Sequence, residues 1–162
     1  MIKEIPPLAE NEYISGWESL NASGPKKIAV DWHSKPYWYN ISTEHKTPLK
    51  TYTTNTLFGN TGINTETITF PLSATLKIAD NIRAIADIIY DIEKGNGRKN
   101  IEFQEIEDII IEYYSKEEKT ELFNRFIVKL VPEMSPELEA FIRYVWPKEY
   151  WLVLTGEKIN GK

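Results

Sequence analysis

Near residue 75 the chain changes texture, from a half rich in aromatic residues and threonine to a half with strong helical periodicity and an acidic excess. In the second half Ile78, Ile82, Ile85, Ile89 and Ile92 recur at intervals of four, three, four and three, which puts them on one helical face. An apolar face of that length has to be buried. Asp80 stands where a cap or first-turn acid supports a helix start. Gly95, followed by Asn96 and Gly97, supplies a left-handed stop, so the spacing predicts a helix over about residues 79 to 94.

A second helical period follows in Phe103, Ile106, Ile109, Ile110, Tyr113 and Tyr114, with Glu102, Glu105, Glu107, Asp108 and Glu112 on the opposite side. Ser115-Lys116-Glu117-Glu118 has the capping-box pattern and starts a third helix at Lys116, which Leu122, Phe123, Phe126, Ile127 and Leu130 carry to Pro132. Ser135-Pro136 reads as an N-cap with proline at the first helical position. It opens a fourth helix with Leu138, Phe141, Ile142 and Val145 inside and Pro147 as its end. Residues 150–155 are aromatic and β-branched and read as a short last strand before Gly156 and a polar tail.

The first half has no helical period of comparable quality beyond a short helix within residues 13–20, before the Ser23-Gly24-Pro25 breaker. Strands are expected at residues 27–32, 37–41, 49–57 and 65–70, which are rich in Thr, Tyr, Trp, Ile and Val. Gly59-Asn60-Thr61-Gly62 reads as the turn between the last two. Strands followed by helices point to an α+β fold. The expected architecture is a small, mostly antiparallel sheet from residues 1–75 packed against about four helices from residues 76–162, with a short C-terminal strand. Each half would cover the other in a single domain.

The length of 162 residues, with 41% hydrophobic and 27% charged residues, suits a globular domain that needs no metal or disulfide to fold. The absence of cysteine excludes thiol catalysis and thiolate metal sites. Residues 1–20 carry Glu4, Glu10, Glu12 and Glu18 and no apolar run of signal-peptide or membrane-span length, so a cytoplasmic protein off the membrane is expected. The net charge is -5, and Glu102 to Glu121 is the densest acidic block. Lys26-Lys27 and Arg98-Lys99 are pairs rather than stripes, which disfavours binding driven by phosphate neutralisation.

Thr67 to Ser73 followed by Ile82 to Tyr90 resembles the strand-to-helix passage in the toxin-neutralising domain of abortive-infection antitoxins. The likeness is confined to this stretch, and no family is assigned on it.

For catalysis the candidates are Asp31-Trp32-His33, where alternation on a strand would put Asp31 and His33 on one face, and His45 beside Glu44. Were they to meet, Asp31, His33 and His45 could serve a small hydrolase or phosphoesterase as general base or metal ligands. Nothing in the spacing brings them together. Neither glycine loop has the strand-and-helix setting of a phosphate cradle, and no cofactor or resident metal is called for.

For binding, Trp32, Tyr37, Trp38 and Tyr39 form the densest aromatic cluster, and on a strand Tyr37 and Tyr39 would face away from Trp38. Such residues anchor protein interfaces, or with Lys35 and Lys26-Lys27 could stack on RNA or single-stranded bases. Tyr144, Trp146, Tyr150 and Trp151 are expected in the core. Glu102, Glu105, Asp108 and Glu112 are either a solvated helix face or a docking stripe for a partner protein with a basic surface. The leading expectation is a non-enzymatic interaction module such as an immunity protein, antitoxin or phage-encoded inhibitor.

Overall fold

The computed structural model describes residues 1–156 and has a mixed α+β architecture. The chain divides into two compact units, Met1–Ile88 and Ile89–Lys162, and the division falls inside a helix rather than at the change of texture.

In the first unit β1 (Glu12–Tyr13) leads into α1 (Gly16–Leu20) and α2 (Ser34–Trp38), then β2 (Tyr52–Thr53), β3 (Ile63–Ile68), β4 (Ala74–Ala79) and the start of α3 (Asn81–Lys94), whose residues from Ile89 onward belong to the second unit. Among the described residues the strands make two separate antiparallel pairs, β1 with β2 and β3 with β4, instead of one sheet. In the longer pair Ile63 lies opposite Ala79 and Ile68 opposite Ala74. Its outward positions are polar, and the Thr67 and Thr75 hydroxyls meet at 2.9 Å. Its apolar side, Ile68, Leu76 and Ile78, joins Ile14, Ala22, Trp38 and Leu49 in one core. The hairpin is thus covered by the N-terminal segment of its own unit, where helices of the second half were expected. Ile14 adds a rung along β4, with its N–H donating to the Lys77 carbonyl and its carbonyl accepting from the Ala79 N–H.

Several expected strands are absent, for a common reason. Aromatic and β-branched residues suit a pleated surface, but a strand forms only where a partner strand is in register. Residues 27–32 hold no strand and make one isolated bridge, Gly24 with Lys27. Residues 34–38 are the helix α2, where Pro36 suits an opening turn and the Trp38 indole donates to the Glu18 carbonyl at 2.8 Å. Within residues 49–57 only Tyr52–Thr53 pairs, and with β1, so the Gly59–Gly62 turn does not join two paired strands.

Ile78 lies in β4, not in the helix. The Asp80 carboxylate caps α3 by accepting from the Arg83 N–H at 2.7 Å. From Ile82 to Ile89 α3 is buried on every side, so its apolar stripe continues into a sheath of small and polar residues. Gly95 ends the helix without a left-handed φ; a β-carbon there would stand 2.8 Å from the Asp91 carbonyl oxygen.

A polar network that the sequence did not announce sits inside the first unit. The Arg83 side chain is fully buried, and its Nε donates to Asp87 Oδ1 at 3.0 Å. Tyr13 and Ser15 hydroxyls donate to Asp87 Oδ2 at 2.7 and 2.6 Å, while an Arg83 terminal nitrogen donates to the Tyr13 oxygen at 2.9 Å. The other terminal nitrogen reaches the Gly59 and Thr61 carbonyls at 2.9 and 2.7 Å, which gives the glycine turn its structural role. Burial and the neighbouring Asp87 charge push the Tyr13 hydroxyl above its ordinary range.

The second unit contains α4 (Lys99–Tyr113), α5 (Lys116–Arg125), a 3-10 segment (Ile127–Glu133), α6 (Pro136–Val145) and α7 (Pro147–Thr155). Both bonds of the capping box at Ser115 and Glu118 are present. The α-helix it opens stops at Arg125, and Pro132 lies within the 3-10 segment. Ser135 Oγ accepts from the Leu138 N–H and donates to Glu93 at 2.6 Å, while its backbone N–H donates to the other Glu93 oxygen. Phe103 stacks on Phe141 at 4.9 Å, and Trp146 meets Phe141 edge-on at 5.7 Å.

Residues 150–155 are helical rather than a strand. Pro147, expected to end a helix, opens α7 at its first turn, where its missing N–H costs nothing, and Gly156 at φ 70° closes it. The polar tail lies outside the described residues. Among the described residues no helix is long and apolar enough to cross a membrane.

Candidate functional site

The acidic helix of the second unit presents two adjoining surfaces. Phe103, Ile106 and Ile110 turn into the core, which leaves Ile101, Glu105, Asp108, Ile111 and Glu112 on the opposite, exposed arc. Ile101 and Ile111 are 39% and 45% exposed, so the face is acidic with apolar spots rather than uniformly charged. Glu102 stands apart from that arc. It is half-buried in the first helical turn with its carboxylate against Gly97, where a β-carbon would collide with it, and a first-turn acid there supports the helix dipole.

Beside this face runs a groove of about 640 Å³ between α4 and α6. Asn100, Gln104 and Glu107 form one wall and Glu137, Ala140 and Tyr144 the other, both at helical spacing, with the Phe103–Phe141 stack between them. Ala140 is exposed and puts only a methyl group on its wall. Burial pushes the Glu107 carboxyl up, and the neighbouring Asp108 charge adds to the shift.

In the first unit the Asp31–His33 pair is formed, though not on a strand. Asp31 is buried, His33 is exposed, and His33 Nδ1 lies 2.5 Å from Asp31 Oδ1. Asn21 Nδ2 donates to the other Asp31 oxygen at 3.2 Å and to the Trp17 carbonyl, while the Asn21 Oδ1 is buried without a partner among the described residues. Asp31 thereby orients the imidazole and leaves Nε2 toward solvent, the arrangement of a general base. His45 is exposed, with its backbone N–H on the Ser42 hydroxyl. Among the described residues no three His, Cys, Asp or Glu side chains are grouped to hold a metal ion.

The aromatic cluster is dispersed by α2. Trp38 is fully buried and offers no surface to a partner, Tyr37 stacks on Trp17 at 5.7 Å, and Trp32 is 69% exposed. The second aromatic group also divides, with Trp146 and Tyr150 in the core but Tyr144 and Trp151 65% and 52% exposed.

Lys27, read from the sequence as half of a basic pair, is buried instead. Its Nζ donates to the Ser19 carbonyl at 2.5 Å and to Asn81 Oδ1, and burial lowers its pKa to about 7 against the opposing pull of Asp80. The i,i+4 spacing of Arg83 and Asp87 inside an isoleucine-rich helix is a local hint of a buried pair, but the sequence carries no sign of the network's other partners. The groove had no comparable signal, since it depends on how α4 and α6 meet. No family model, curated protein or solved structure matches the chain.

Proposed function

We propose that this chain is a non-enzymatic protein-interaction module whose second unit docks a partner with a basic surface on the exposed face of α4, in the manner of an immunity protein, antitoxin or phage-encoded inhibitor. The observation that carries the proposal is the joint exposure of Glu105, Asp108 and Glu112 with Ile101 and Ile111 on one arc. The carboxylates would steer encounter and disfavour acidic competitors, and the isoleucines would supply apolar burial. Trp32 and Tyr37 of the first unit remain candidate contacts.

The test uses a partner captured from the native host and then purified. Glu105→Gln, Asp108→Gln and Glu112→Gln together should slow association about tenfold at low salt and flatten its salt dependence. An affinity indifferent to both the substitutions and the salt would sink the electrostatic docking.

A second reading, a small hydrolase or phosphoesterase using His33 and Asp31, is favoured by one observation, the 2.5 Å contact that fixes the exposed imidazole on a buried carboxylate. Chromogenic phosphate mono- and diesters test it. Turnover abolished by His33→Gln would support this reading, and no turnover by the native chain would end it.

A further inference from the structure

The groove between α4 and α6 has a chemistry distinct from the open acidic face. Its base is the Phe103–Phe141 stack, the Tyr144 ring stands exposed on one wall, and Glu107 and Glu137 bring a carboxylate from each helix. No lysine or arginine lines it. The exposed Tyr144 ring presents a negative face to a cation, and carboxylates accept its N–H groups, so the lining selects a positively charged guest with an apolar body. Glu107 points the same way. Partial desolvation and the Asp108 charge both disfavour its ionised form, and the positive charge of a cation seated in the groove would offset them.

Among protein side chains, arginine meets these demands best. Its methylene stem can lie along the groove beside Ala140, its guanidinium plane can stack on the exposed Tyr144 ring, and its fork of N–H donors bonds a carboxylate bidentately. A groove of about 640 Å³ lies well within the range of ligand sites and has room for more than one side chain. We propose that the α4–α6 groove receives an arginine-bearing segment of the basic partner, with the guanidinium between Tyr144, Glu107 and Glu137. The inference rests on the docking function proposed above and adds the residue type that the partner must present.

The probe is an acetylated, amidated Ala-Ala-Arg-Ala-Ala peptide, titrated into the whole chain and followed by amide NMR, with a citrulline peptide as the uncharged counterpart. Saturable shifts are expected at Gln104, Glu107, Ala140 and Tyr144, with binding at least about tenfold weaker for citrulline, the size of effect that a lost charge-assisted bond and cation–π contact produce. Ala140→Trp fills the groove from an exposed position and should weaken binding about as much, and so should Glu107→Gln with Glu137→Gln, a pair that leaves the space unchanged. Equal binding of the two peptides, full binding to Ala140→Trp, or no saturable shift in the groove would overturn the inference. If the purified partner still responded to Glu105→Gln, Asp108→Gln and Glu112→Gln while the groove stayed silent, docking on the open face would stand and the arginine site would fall.

Discussion

Replacing Asp87 by asparagine isolates the energetics of the buried network. The amide has nearly the same volume and can keep its oxygen for the Tyr13 and Ser15 hydroxyls, but its NH2 then faces the Arg83 Nε–H, so the negative charge and the hydrogen bond it accepts from Arg83 are lost together. Arg83 and Asp87 have side chains 0% and 3% exposed, so water cannot replace that charge. Removing one member of a buried pair costs about 3–5 kcal/mol, against a total stability of about 5–15 kcal/mol for a domain of ordinary size. The variant should therefore stand close to unfolding. Urea denaturation followed by circular dichroism measures the cost, and hydrogen exchange at the α3 amides reports opening of the first unit itself. Replacing both partners, Arg83→Met with Asp87→Leu, should cost less than the sum of the single changes by more than about 1 kcal/mol, because it removes the orphaned charge together with its partner. Salt should alter these values little. An Asp87→Asn cost below about 1 kcal/mol, or strict additivity in the double variant, would refute the reasoning.

Other consequences follow from single side chains. The Lys27 pKa falls from its ordinary 10.5 to about 7 in the folded chain, so between these values the unfolded chain holds more protons and stability should rise with pH. Stability curves at pH 7 and pH 10 check this, and Lys27→Met should flatten the rise. Trp38→Ala should cost about 3–5 kcal/mol by opening a cavity and releasing the indole hydrogen bond, whereas the exposed Trp32→Ala should stay within about 0.5 kcal/mol; comparable thermal melts for the two would contradict their burial. Ser135→Ala removes the cap on Leu138 and one donor to Glu93, and should lower stability by about 1–2 kcal/mol in urea titrations.

The helical half was legible in the sequence because its signals are local. Caps at Asp80, Ser115 and Ser135 and the apolar periods of α3, α4 and α6 depend on neighbours three or four residues away, and they stand where their spacing put them, save that Ile78 belongs to β4 and Tyr113 at the end of α4 is exposed. Proline was read less well. Pro147 suits the end of one helix and the start of another equally, and only the packing of Trp146 and Tyr150 made it a start. The acidic side of α4 was equally local, except that Glu102 and Glu107 lie off the exposed arc, Glu102 against Gly97 and Glu107 in the groove wall.

The sequence by itself determined the α+β composition, the apolar cores of the helices and the acidic character of α4, all set by residue type and short-range period. Tertiary structure decided the rest. Residues 34–38 became a helix because the Trp38 indole found the Glu18 carbonyl, and Lys27 and Arg83 went inside because distant carbonyls and Asp87 met their donors. The groove exists only where α4 and α6 come together around Ala140. Those features join residues far apart in the chain, and partners of that kind are found by packing and leave no period to read.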